Sequence, residues 1–261
     1  MGPARTSVVT IMFVAIVLSA GMVSTQGTTD FSFSTGDPDG RMAVATRPES
    51  HKKIEVEAAD DFIFTSTRTI TEATFTGMLF NGGRGEIREV AVEIYRVFPL
   101  DSNTVRPIHV PTRQNSPSDN AFTARSSADG TLRFSVDRLS ARFQADNSVI
   151  DGINPSPNQH TLGEGPVVGQ EVQFDVVFDP PIVLPADHYF FVPQVRLQGV
   201  GGNFLWLSAP RPTSPPIFVG DLQMWIRNAD LDPDWLRVGA DIVGGSPAPT
   251  FNGSFSLRGT P

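Results

Sequence analysis

Apolar and polar residues alternate in twos along most of this chain. Ile54, Val56 and Ala58 face one way against Glu55 and Glu57; Val90, Val92 and Ile94 oppose Glu89 and Glu93; Val172, Phe174, Val176 and Phe178 oppose Glu171, Gln173 and Asp175. Successive side chains of a strand point to opposite faces, so each segment predicts a strand with one wet side. Further strands are predicted within 69–80, 131–136, 188–197, 203–207, 221–227 and 251–257. No segment carries a capped helical stripe. Strands apolar on one side only must bury that side between two sheets, so the expected fold is all-β. It is a single antiparallel β-sandwich, jelly-roll-like, of roughly ten strands. Asn81, Gly82 and Gly83 predict a hairpin between the strand ending at Phe80 and one starting near Ile87. Long connections at 101–130, 146–169 and 208–220 interrupt the pattern, and a binding site is expected there.

The first residues break the alternation. Arg5 precedes an apolar run from Val8 to Leu18, and Ser19, Ala20 and Gly21 follow, the order of a secretory signal peptide. A run of roughly eleven residues is short of the ~20 that span a bilayer. The expected organisation is a leader at 1–26 and one domain at 27–261, secreted to the periplasm or the medium. Although that compartment permits disulfides, the chain has no cysteine, which excludes thiol catalysis and cysteine-ligated metal. The net charge is -8, with no cluster of Lys or Arg to offset it, so nucleic acid and anionic membrane are not expected partners.

Two stretches carry a resemblance. Ala59, Asp60, Asp61 and Phe62 lead into Ile70, Thr71, Ala73, Phe75, Thr76 and Gly77; later come Leu184, Pro185, Ala186, Asp187 and Tyr189. Together they resemble framework strands of uncharacterised exported bacterial β-sandwich proteins, many of which carry a C-terminal PEP-CTERM sorting signal. The residues after Phe251 show neither the apolar tail nor the basic end of that signal. The resemblance implies an exported sandwich and carries over no catalytic residue.

Chemistry is sparse. Asp230, Asp232, Asp234 and Asp241 follow one another at spacings that resemble a Ca²⁺ loop, but Trp235 stands where such a loop needs Gly. The plain reading is a solvated acidic turn. Trp225 alternates away from Met224 and Ile226, which places its indole with Gln223 and Arg227 on the polar face. With Trp235 it suggests a platform for a sugar or another envelope component, unless a loop covers it. Glu55 and Glu57 share a strand face, which a solvated surface explains without catalysis. Asp60 and Asp61 point to opposite faces, so only one is expected to be buried, with an Arg as its partner. The alternatives are a secreted hydrolase built on His109 or His160, and an architectural protein that self-associates through an edge strand. Most of the 19 Phe are expected in the core, having no polar tip to offer a ligand.

Overall fold

The computed structural model describes residues 1–2, 30–50, 52–83, 86–105, 114–151, 153, 160–199, 201–210 and 220–261. All of the expected leader beyond its first two residues lies outside the described residues, as do His51 and His109. The alternating segments form two sheets, almost wholly antiparallel. Nine strands build the larger sheet: β1 (Phe31–Ser34), β2 (Ala43–Ala45), β4 (Arg68–Phe80), β7 (Leu132–Ala145), β8 (Ser148–Val149), β9 (Val167–Leu184), β11 (Asn203–Ala209), β14 (Asn252–Gly253) and β15 (Phe255–Thr260). Six build the smaller: β3 (Val56–Phe64), β5 (Ile87–Arg96), β6 (Thr123–Ser126), β10 (Asp187–Leu197), β12 (Trp225–Asn228) and β13 (Leu236–Arg237).

β4 organises the larger sheet. One edge pairs with β9, which in turn pairs with β7, while the other edge takes β15 along residues 69–75 and β11 along 77–80. In the smaller sheet the order is β13-β12-β3-β10-β5-β6. One core fills the space between the sheets, with buried residues from Phe31 through to Leu257. The packing is sandwich-like because each strand offers its apolar side inward. Aromatic rings knit it: Phe75 stacks on its cross-strand partner Phe174 at 4.8 Å, and Phe191 of one sheet stacks on Phe255 of the other at the same distance. Such pairs contribute about 0.5–1.5 kcal/mol each beyond the area they bury. The core is close enough that two glycines are dictated by it. A Cβ on Gly77 would sit 2.2 Å from the Phe204 ring, and one on Gly253 would sit 2.2 Å from Trp206.

Three expectations need correction. The Asn81 turn is not a hairpin, because β4 and β5 belong to different sheets and the chain crosses between them there. Asn81 itself adopts a positive φ of 54°, so the turn chemistry is real but its use differs. A short π-helical turn at Val238–Val243 appears where no helix was predicted, too brief to leave a periodic stripe. Asp60 and Asp61 are both buried, at 1% and 2% exposure, since β3 lies centrally with the core on one side and a covering loop on the other. Neither meets an Arg. Asp61 Oδ2 lies 2.6 Å from His188 Nε2, and Asp60 Oδ2 accepts the Gly253 N–H at 2.9 Å from the opposite sheet. Burial, and then the charge of Asp61, raise the Asp60 carboxyl well above its ordinary range.

Candidate functional site

Of the predicted site residues, Trp225, Arg227, Asp232 and Trp235 gather on the outer side of the smaller sheet. Register places Arg227 opposite Glu57, Trp225 opposite Ala59, and Phe190 between Asp61 and Tyr95. That side is covered. Ala59, Tyr95, Phe190, Val192, Trp225 and Trp235 form a second small apolar cluster, closed by Val97, Ala121 and Leu222. Trp225 is 2% exposed and Trp235 1%. Their indole N–H groups are spent internally, on Leu222 O at 2.9 Å and Ser118 O at 3.1 Å. Alternation therefore placed Trp225 on the correct side, but the connection after β5 closes over it. Neither indole offers a sugar a ring face, and the tryptophan platform is withdrawn.

Arg227 is the centre of this region. Its guanidinium grips the Glu57 carboxylate through Nε and Nη2, donates from Nη2 to Tyr95 Oη at 2.8 Å, and reaches Asp232 Oδ1 at 2.9 Å. It also lies 4.4 Å from the centre of the Trp235 ring. Burial is the largest single influence and works against its charge, yet Glu57, Tyr95 and Asp232 together outweigh it and hold the pKa above the ordinary value. The Tyr95 hydroxyl lies 2.7 Å from Glu57 Oε1 and 2.6 Å from Glu93 Oε2. A phenol has one proton to donate, so the second short contact needs a proton on a carboxyl. Glu93 supplies it: burial, and then the Glu57 charge, push its pKa up to about 7. Over this network lies an open cleft of about 520 Å³, lined in part by Glu55, Tyr95, Asp119, Arg227 and Asp232. Its charged groups are largely engaged within the protein, Glu55 accepting from the Gln194 amide at 2.9 Å and Asp232 pairing with Arg227. Gln223, also predicted as a contact, is half-buried with a positive φ of 66°.

The four aspartates do not converge on an ion. Asp232 faces Arg227, Asp241 clamps Arg237 through two carboxylate contacts at 2.8 and 3.0 Å, Asp234 is buried, and Asp230 stands in solvent. Among the described residues no three His, Asp or Glu side chains come together as metal ligands. For Asp232 and Asp241 an arginine supplies the positive charge that Ca²⁺ would have supplied. Of the histidines named for a hydrolase, His109 lies outside the described residues and His160 is exposed, with its ring against Gly244.

The open surface lies on the other sheet. On the outer side of the larger sheet, Ser34, Ser256, Thr74, Asp175 and Ser135 stand directly opposite one another across β1, β15, β4, β9 and β7. At ~4.8 Å between strands, that row spans about 19 Å. A second row runs Ser32, Arg258, Glu72, Val177 and Arg133, and a shorter one runs Thr76, Gln173 and Asp137. Thr74 and Ser256 share a hydrogen bond at 2.7 Å, and Gln173 donates to Asp175 at 3.1 Å. Two adjoining concavities, of about 360 and about 510 Å³, meet at Glu72 and Arg258 to form one trough. The individual polar positions were visible as the wet sides of alternating segments. What aligned them was register, which no single strand encodes. Compared with known proteins, the chain matches no family model, no curated protein and no solved structure.

Proposed function

We propose that this is an exported, jelly-roll-like sandwich protein that binds an extended, neutral polyhydroxyl chain, a glycan of the envelope or matrix, without altering it chemically. The observation that carries this reading is the uncovered trough on the larger sheet. Its hydroxyls both donate and accept, its carboxylate and amide groups suit hydroxyl pairs, and Arg258 stands opposite Glu72 at its centre, leaving only a modest negative charge. Among its lining residues only Phe31 is aromatic, so affinity comes from many hydrogen bonds, part of them through water, and is modest.

Other features support the same reading. The leader-like start favours export, and the resemblance to exported bacterial sandwich proteins agrees with it. Repeated crossing between sheets, at β2–β3, β3–β4, β4–β5, β9–β10 and β10–β11, favours a jelly-roll-like path. An architectural role through the long edge strand β7 is less favoured. That strand has register irregularities between Arg138 and Phe143 and carries Arg133, Asp137, Arg138 and Arg142, devices that discourage edge-to-edge pairing. Affinity electrophoresis through gels containing soluble neutral glycans tests the proposal. Retardation by at least one glycan, lost in Asp175→Ala with the melting temperature unchanged, is the expected result. Unretarded migration through β-glucan, xylan, mannan and α-glucan alike overturns it.

A further inference from the structure

One small cavity among the described residues is lined by three cationic side chains, Arg47, Lys53 and Arg196. It lies where the turn at residues 47–53 meets the ends of β10 and β11, and its walls include Arg47, Lys53, Val195, Leu197 and Phe204. Arg47 is 6% exposed. Its Nη2 reaches Asp151 Oδ1 at 3.1 Å, on a carboxylate that is itself mostly in solvent, while Nε and Nη1 are buried with no hydrogen-bond partner among the described residues. Lys53 Nζ donates to the carbonyl of Gly202 and, at 3.0 Å, to Asn203 Oδ1. Burial, and then the charge of Arg47, lower its pKa, so the two cations feel one another through little solvent. Arg196 lines the same cavity, with its Nη2 committed to Glu89 at 2.6 Å and its Nε buried without a partner.

Buried N–H groups on a guanidinium are costly to leave unmade, and a second cation beside them adds repulsion. Among the described residues, the one carboxylate paired with Arg47 is Asp151 at the surface, on the side of Nη2. A single negative species against Nε and Nη1 satisfies the donors and the charge together. Size limits the choice: the centre of a water-sized occupant has only about 10 Å³ in which to move, which favours one small ion over a polyatomic one.

We infer that this cavity is a binding site for one monatomic anion, chloride or bromide, held by Arg47 and Lys53. Such an ion pins the 47–53 turn to the ends of β10 and β11, where Arg47 already exchanges backbone hydrogen bonds with Val56 at 2.8 and 3.0 Å. The site is independent of the trough, which lies on the outer polar side of the larger sheet and shares no lining residue with it.

Thermal melting at constant ionic strength, with sodium chloride replaced stepwise by sodium gluconate, reads the site directly. Chloride is expected to raise the midpoint saturably, by about 3–6 °C at tenfold its dissociation constant. The rise is expected to vanish in Arg47→Met and to shrink in Lys53→Gln, a milder change that keeps the test valid if the first variant does not fold. Crystals soaked in sodium bromide are expected to show an anomalous peak within hydrogen-bond reach of Arg47 Nε or Nη1. Superimposable chloride and gluconate curves for the unaltered protein, or a bromide-free site refining as water, overturn the inference.

Discussion

The two sheets turn similarly alternating strands outward, but one of those outward sides is largely covered and the other stays open. On the smaller sheet the outward residues include Glu57, Glu93, Tyr95, Phe190, Trp225 and Arg227, and the segments after β5 and β12 fold over them. On the larger sheet they are Ser, Thr, Gln, Asp and Arg, and the side stays open, with Val177 39% exposed in the middle of it. The contrast shows that a polar position in an alternating strand has two meanings. Large amphipathic side chains invite a cover that satisfies their polar tips, whereas short hydroxyls are satisfied by water and need none.

Three substitutions separate the sides, in order of effect. On the covered side, Arg227→Met removes the cation that balances the buried Glu57 carboxylate and is expected to cost about 3–5 kcal/mol. Chemical denaturation measures it, and adding Glu57→Gln is expected to recover part of the loss; a cost below about 1 kcal/mol means that solvent reaches this network after all.

Proton linkage gives the intermediate effect. Glu93 titrates at about 7 folded against 4.5 as the ordinary value, so between those pH values the folded state holds a proton that the unfolded chain has lost. Stability therefore falls as pH rises through this window and levels off above it, by on the order of 1–3 kcal/mol. In Glu93→Gln the side chain is neutral throughout, so that fall is expected to flatten and the variant to gain stability at pH 8. An unchanged pH profile of the melting temperature between 4.5 and 7 refutes the shared-proton arrangement around Tyr95.

On the open side, Thr74→Ala is expected to change stability by less than about 0.5 kcal/mol, because no packed cluster depends on it. Its loss shows in glycan retention instead. A destabilisation comparable to that of Arg227→Met erases the distinction between the two sides.

The strands themselves were legible from residue pattern. Val172 to Phe178 alternate cleanly and become the middle of β9, and the phenylalanines collect in the core as their lack of a polar tip requires. β1 and β2 escaped notice because four and three residues are too few to establish a period. The candidate site was half legible. Alternation put Trp225 and Arg227 on one side, but register brought Glu57 to them, and burial of that side depends on residues far along the chain: Ser118 receives the Trp235 indole from 117 positions away. Asp230 to Asp241 looked like ion ligands because sequence spacing ignores Arg227 and Arg237, whose charges reach them only in the folded chain.

By itself, the sequence determined that this chain is all-β, that its apolar sides are buried and that no thiol takes part in its chemistry. Side-chain period and residue type are local properties, and they suffice for those conclusions. Only the tertiary structure decided which sheet each strand joined, which polar side was covered, and which hydroxyls stood in one row. Those depend on pairing and register between distant segments, where a shift of one residue turns every side chain to the other side.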